Sequence, residues 1–352
     1  MGLHLRLDRR DCLTPHWDHT RLRSIPALMV VWSIILALSG AATAQTVAQP
    51  RMFRIGAPTV DSPTFAVAAL VASGLSNPPG GRPCERGGSC GVPGMLAAAQ
   101  ALTGVADALD QVTRRQIDGV VLSAADAVRS YEASAGAQAA LRTVGTLFVE
   151  ELHLLVPASS QATRLGDLTD GEIAVGLAQG QPSSLLREMA TALGFQTDLI
   201  RFVESDDAVA TVADGRLPAA LVLATWPQPW PGLVEGRLKL VPLSAAEAAK
   251  LIADRLYLVP RQLPVTLVEG GAMATTVGVP TQLFVPADSD LDLVFQITRS
   301  LWHPATLRLM FTGSAEARDA RPQQALAGVR VPLHLGAQRW YRDAGLLASP
   351  AP

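Results

Sequence analysis

The chain has 352 residues, 49% hydrophobic and 17% charged, with a formal net charge of −2. This is the composition of a globular protein long enough for two lobes. Its lysines are Lys239 and Lys250, and no basic patch is interleaved with aromatic residues, which argues against a nucleic-acid partner.

Residues 1–44 read as a secretory signal peptide. Arg21 and Arg23 precede an apolar run from Ala27 to Leu38, and small residues follow, ending in Ala42-Thr43-Ala44. The run is too short to span a bilayer, and no later stretch is a membrane-span candidate. Arg9-Arg10 lies too far from the apolar run for twin-arginine export, and no cysteine follows the cleavage site to carry a lipid. The expectation is an exported, periplasmic protein cut near Ala44 and acting as a monomer. The leader carries a net +2, which leaves −4 on the mature part.

Mature residues open with a strand, Met52–Ile55, then a Gly/Pro/Ser/Thr turn, Gly56–Thr64, and an apolar helix, Phe65–Leu75. A strand feeding a helix through such a turn is an α/β unit. The turn lies at the carboxyl end of the strand, where open α/β sheets hold ligands. This nominates Thr59, Ser62 and Thr64.

The next stretch, Cys84–Leu102 (CERGGSCGVPGMLAAAQAL), starts as a glycine-rich loop and runs into alanine and leucine that predict a helix. Gly87, Gly88 and Gly91 permit positive φ or close backbone approach. Ser89 is the expected N-cap, and free N–H groups at that helix end attract anions. Ser89 and Gly91 therefore join the candidate set. Cys12 belongs to the leader; Cys84 and Cys90, close in sequence in an oxidising compartment, are expected to form a disulfide. His153, His303 and His334 are too far from them in sequence to argue for zinc, so neither metal nor cofactor is expected.

Gln116–Leu122 reads as a strand and Ser123–Ala140 as a helix with Asp126 in its first turn. Leu141–Pro157 reads as two strands, Leu165–Asp170 as a short polar element and Glu172–Gly176 as a further strand. A second strand–loop–helix unit follows, with the loop Leu177–Ser184 and the helix Leu185–Leu193. It nominates Gln179, Ser183 and Ser184 beside a helix start. Phe195–Phe202 predicts a strand, Ser205–Ala213 a helix, and Ala219–Leu223 a buried strand ending in Thr225-Trp226-Pro227-Gln228-Pro229-Trp230. Helices are expected at Ala245–Arg255, Asp290–Leu301 and Pro304–Phe311. Between the first two come an irregular Pro/Gly stretch and a strand at Thr275–Phe284.

Ser123, Thr225 and Trp226 complete the candidate site. Trp226 and Trp230 fit either an apolar lid or plain packing. Asp118 and Asp126 suit caps or ion pairs, and His334 a local hydrogen bond. Gly87-Gly88-Ser89-Cys90-Gly91 fits the G-x-S-x-G pattern of an exported Ser hydrolase. That elbow needs a strand directly before it, and Pro78–Pro83 stands there instead.

In order along the chain, Arg54-Ile55-Gly56, Gly87–Leu102, QIDGVVLSAADA (116–127), LRTVGTLFVEELHLLVP (141–157), DLTDGEIAVG (167–176), DGRLPAA (214–220) and PLHLGAQRWYRDAG (332–345) resemble the TAXI group. These are periplasmic solute-binding proteins that serve tripartite ATP-independent (TRAP-type) transporters. The resemblance runs from about Met52 to Leu347. It implies a type II periplasmic-binding-protein fold: two α/β lobes with crossing hinge strands around a ligand cleft. Residues 51–150 would form lobe one, 151–275 lobe two, and 276–347 the return to lobe one. It implies no catalysis. The function would be capture of a small polar, carboxylate-bearing solute, an amino acid or dicarboxylate, for delivery to a membrane permease. A sensor kinase is the alternative partner. The chain departs from the group at Asp61-Ser62-Pro63-Thr64, at Gln179–Ser184 and at Leu335, so the ligand itself does not carry over.

Overall fold

A computed structural model describes residues 49–134, 141–177, 183–264 and 273–348. The leader and its expected cleavage point near Ala44 lie outside them. The described residues contain a 12-stranded mixed sheet with helices on both faces.

Strand β1 (Arg51–Pro58) buries Phe53 and Ile55 and ends at the turn. Ser62 then caps helix α1 (Pro63–Leu75), its Oγ accepting the Phe65 N–H at 3.1 Å, with Pro63 in the first turn, where its missing N–H costs nothing. After α1 come the short strand β2 (Ser76–Asn77), the disulfide-bonded loop Cys84–Cys90 and strand β3 (Val92–Pro93). Gly87 closes a 3₁₀ turn at φ 76°. At Gly91 a Cβ would lie 2.3 Å from the Leu75 carbonyl oxygen, so no larger residue fits.

The expected helix after this loop is a strand, β4 (Met95–Leu102), paired in parallel with β1 from Arg51↔Met95 to Pro58↔Leu102. Ser89 is therefore not an N-cap. The reason is tertiary. Alanine and leucine prefer helix by only a few tenths of a kcal/mol each, whereas the open edge of β1 offers eight residues of backbone pairing. The small side chains also alternate. Met95, Ala97 and Ala99 pack into the core beneath α1, while Leu96 and Ala98 face solvent.

Helix α2 (Val105–Thr113), strand β5 (Gly119–Ser123) and helix α3 (Ala124–Ala133) follow. Residues 141–157 form not two strands but one, β6 (Leu141–Pro157), 17 residues long and buried at every position but Arg142 and Pro157. The second run of units comprises β7 (Ile173–Leu177), α4 (Ser183–Ala192), β8 (Ile200–Glu204), α5 (Ser205–Ala213) and β9 (Ala219–Ala224). The stretch expected as strand from Phe195 opens with a 3₁₀ turn, Thr197–Leu199. Then come α6 (Pro231–Val234), β10 (Leu238–Leu240) and α7 (Ala245–Asp254).

The irregular Pro-containing stretch holds strand β11 (Val259–Pro264), antiparallel to β12 (Met273–Pro286). Proline lacks a ladder donor, and Pro260 and Pro264 are tolerated because β11 pairs with β12 alone. Helices α8 (Leu291–Leu301), α9 (Pro304–Gly313) and α10 (Leu335–Asp343) complete the chain.

The strand order explains the architecture. One half reads β4-β1-β5-β12 and the other β8-β7-β9-β6, the same second–first–third–crossing order twice. Within each half the first three strands are parallel, and the crossing strand is antiparallel to them. β6 and β12 run through both halves, antiparallel to each other from Pro286↔Leu141 to Gly278↔Glu151. This is the type II periplasmic-binding-protein arrangement expected from the sequence, two α/β halves joined by crossing strands. Each half has cores on both faces of its sheet.

Helix α10 is fastened to β6 by one buried phenol. Tyr341 Oη accepts from Trp302 Nε1 and donates to the Val144 carbonyl, both at 2.9 Å. Gly145 makes room, since a Cβ there would lie 2.4 Å from that hydroxyl. Tyr341→Phe is predicted to cost about 2 kcal/mol, because two buried groups lose their partner while the ring volume is kept. Urea denaturation at neutral pH checks this.

Candidate ligand cleft at the strand ends

The register brings the carboxyl ends of the two halves together. Ser123, the last residue of β5, pairs with Thr281, which pairs with Phe148 of β6. Ala224, the last of β9, pairs with Glu151, which pairs with Gly278 of β12. On each crossing strand the two meeting points are three residues apart. Loops after the parallel strands, which in α/β sheets carry ligands, thus open toward the middle of the crossing pair from both sides.

In the first half β1 and β5 are neighbours, so Thr59 and Ser62 end beside Ser123. Thr59 has φ 48°, an outlier for a β-branched residue and a local store of strain. Ser62 Oγ directs its one proton at the carbonyls of Pro58 (2.6 Å) and Thr59 (2.8 Å), which share it, while capping α1. Thr64 is part-exposed in the first turn of α1. Ser123 caps α3, accepting the Asp126 N–H at 3.1 Å and donating to the Asp126 carboxylate at 2.6 Å. Burial raises the Asp126 pKa, opposed by the Ser123 hydrogen bond and the Arg129 charge.

In the second half Ser184 lies in the first turn of α4. Gln179 and the Ser183 side chain fall outside the described residues. The Thr225 hydroxyl is buried with no hydrogen-bond partner among the described residues. The Trp226 backbone N–H donates to Glu151 Oε2 at 3.0 Å, and the Arg261 guanidinium holds Glu151 Oε1 at 2.6–2.7 Å. Glu151 is 1% exposed. Burial raises its pKa, offset by Arg261 and the Trp226 N–H. The sequence reading missed Glu151 and Arg261. The available signal was a pair of acids inside an otherwise apolar strand (FVEELHLLVP), since buried carboxylates require partners.

His153 lies two residues beyond Glu151, 1% exposed, its Nε2 donating to the Ala224 carbonyl at 3.0 Å. Trp226 and Trp230 pack against its ring, with centroids at 5.8 and 5.3 Å. Trp230 is buried in the core, so its packing role is settled, whereas Trp226 stays part-exposed beside the strand ends.

Ser89 and Gly91 are not part of this convergence. Ser89 Oγ donates to the carbonyl of Ser76, the residue after α1, so it sits at the far end of that 13-residue helix from Ser62. The separation along the helix is roughly 20 Å. A 3₁₀ turn, not a strand, precedes Ser89, which removes the geometry of a nucleophile elbow. Asp118 accepts from the Arg54 backbone and side chain, and His334 caps α10, both local roles as expected. Cys84, Cys90 and His303 cluster with ligand atoms within 4.8 Å of one another, but both sulfurs are committed to the disulfide.

Residues 95–345 match the NMT1-like family. The chain belongs to that family. Solved structures similar to it include three described as binding proteins. ArtJ, the arginine-, lysine-, histidine-binding protein from Geobacillus stearothermophilus, is 10% identical, covers 75% of this chain and 95% of its own, and gives a TM-score of 0.41. The periplasmic binding protein BugD is 15% identical over 84% of this chain and 98% of its own, TM-score 0.46. The sulfonate-binding protein SsuA from Methylobacillus flagellatus KT is 14% identical over 84% and 86%, TM-score 0.45. No helix among the described residues is long and apolar enough to cross a membrane.

The buried imidazole predicts a pH dependence. Burial pushes His153 down from its ordinary 6.5 to about 4. As pH falls from 6.5 toward 4 the unfolded chain takes up this proton and the folded chain does not, so stability drops. The loss from this group approaches about 3 kcal/mol. Glu151 and Asp126, with raised folded pKa values, bind protons first in the folded state and act in the opposite direction. The readout is therefore the difference between the wild type and His153→Phe in urea denaturation at pH 7 and pH 4.5. The wild type is expected to lose more stability than the variant.

Proposed function

We propose that this chain is an extracytoplasmic solute-binding protein that closes around a small polar, carboxylate-bearing molecule and delivers it to a TRAP-type permease. The observation that carries the reading is the register of the crossing strands, which aims the loops of both halves at one place. Residues 51–150 and 276–347 act as lobe one and 151–275 as lobe two, with β6 and β12 as the hinge. Closure of such lobes hides the solute from water. The protein reaches the periplasm after removal of the leader near Ala44 and works there as a monomer.

The site has the chemistry of binding, not of bond breaking. From one lobe Thr59 and Thr64 offer hydroxyls, and Ser62 and Ser123 mark helix starts whose backbone N–H groups face the guest. From the other, Ser183, Ser184 and Thr225 offer hydroxyls and Gln179 a side-chain amide, with Trp226 as an apolar wall. Free N–H groups and the positive end of the helix dipole favour a carboxylate. The strained Thr59 and the Thr225 hydroxyl, without a partner among the described residues, support the assignment, because strain and orphaned polar groups concentrate at functional sites.

A thermal-shift panel of amino acids, dicarboxylates and 2-oxoacids tests this. Binding to the folded state alone raises stability with ln(1 + [L]/Kd). A carboxylate hit is expected, with affinity lowered about tenfold in Thr225→Ala, which removes one hydrogen bond to a charged group. No shift across the panel, or a hit indifferent to Thr225 and Thr59 substitutions, overturns the reading. Thr59→Gly separates stability from binding. Relief of the positive φ is expected to hold the melting temperature at or above the wild-type value while solute affinity falls.

A further inference from the structure

A second cavity lies apart from the strand ends. It encloses about 480 Å³ between α3, the middle of α4 and the end of α7, a size suited to a small organic molecule. None of the cleft candidates among the described residues lines it. Its inner wall is apolar, formed by Ala125, Val128 and the Tyr257 ring.

The same wall holds Arg255, whose side chain is 15% exposed. Arg255 Nη2 donates to the Glu188 carbonyl at 3.3 Å, but Nε and Nη1 are buried without a hydrogen-bond partner among the described residues. The nearest carboxylate oxygen, Glu188 Oε2, stands 3.9 Å from Nε, beyond hydrogen-bond reach. The two other arginines of the cavity are engaged. Arg129 binds the Asp126 carboxylate at 3.3 Å, and Arg330 Nε donates to the Leu256 carbonyl at 2.8 Å. Its counter-charge, the exposed Glu188, thus pairs with it only at long range, and a guanidinium this sheltered gains from a carboxylate within hydrogen-bond reach.

We propose that this cavity is a second ligand site, for a small monocarboxylate with an apolar body. Its carboxylate meets the Arg255 guanidinium, and its hydrocarbon covers Ala125, Val128 and Tyr257. The rim sets the charge limit. Glu132, Glu188 and Asp254 are exposed there and repel a second carboxylate. Burial pushes the Tyr257 hydroxyl up to about 12, so it meets a ligand as a neutral donor. Because α3 belongs to one half of the sheet and α4 and α7 to the other, an occupant touches both.

Calorimetric titration of the protein with 3-methylbutanoate, with succinate as the contrast, tests the site. One equivalent of 3-methylbutanoate is expected to bind, with succinate about tenfold weaker. Arg255→Met, which keeps the stem and removes the charge, should weaken the monocarboxylate about tenfold or more. Val128→Trp, which fills the cavity and leaves Arg255 in place, should abolish binding and guards against a folding defect in the first variant. Thr225→Ala should leave it unchanged. Binding that survives both cavity variants, absence of binding in the wild type, or loss in Thr225→Ala overturns the proposal. The last result moves the carboxylate to the strand ends, and the cleft reading survives it.

Discussion

Everything in this fold is referred to the antiparallel pairing of β6 with β12. Two strands of 17 and 14 residues pass through both halves of the sheet, and each half adds its parallel strands to them. Such strands are covered on both faces along their length, which demands near-continuous apolar sequence. It also fixes where each half can start. β5 and β11 share one edge of β12, end to end, and so cannot overlap; β12 and β10 divide an edge of β6 in the same way. The place where one neighbour stops and the next begins is where the sheet changes halves.

Three of the polar residues of β6, Glu150, Glu151 and His153, lie at that change. Glu151 is the residue at which β6 meets β12 on one side and β9 on the other. Its carboxylate, buried, ties Arg261 of β11 to the backbone of the loop after β9. An isolated carboxylate at this depth would be costly, and removal of either partner would leave it so. The position of Trp226 beside the strand ends is thus set by electrostatics more than by the conformational preferences of a proline-rich loop. Two residues on, His153 holds the Ala224 carbonyl and backs Trp226 and Trp230. One short piece of strand organises a whole wall of the cleft.

How far the sequence reveals this depends on how local each cause is. Caps are local: the helices expected to open at Ser123 and Asp290 are capped by those residues, and Ser62 caps the helix expected from Phe65. The α/β alternation follows from the strand–turn–helix order, and the crossing strands are what the family resemblance implies. Met95–Leu102 does not, because a parallel partner 44 residues earlier overrides a helix preference spread thinly over alanines. β11 was hidden by its two prolines, whose tolerance depends on an edge position that no local pattern encodes. The candidate site divides in the same way. Strand-end loops can be found from strand–turn–helix grammar, whereas Ser89 was nominated by a helix that does not exist. The Glu151–Arg261 pair spans 110 residues of sequence and shows in the chain only as an acid out of place.

The caps also constrain how a solute would lie in the proposed cleft. Ser62 and Ser123 direct their hydroxyls to their own loops and first turns, so the groups left for a guest at those helices are backbone N–H groups. The helix starts differ in charge. α3 carries buried Asp126 in its first turn, which already answers the dipole there, while α1 and α4 carry no acid in theirs. A carboxylate is therefore drawn to the starts of α1 and α4, one from each half, and repelled from α3. If the solute carries an ammonium group, the Asp126 end is its natural place. In the proposed function, a molecule held at these two starts would join α1 to α4 across the hinge and so couple binding to closure.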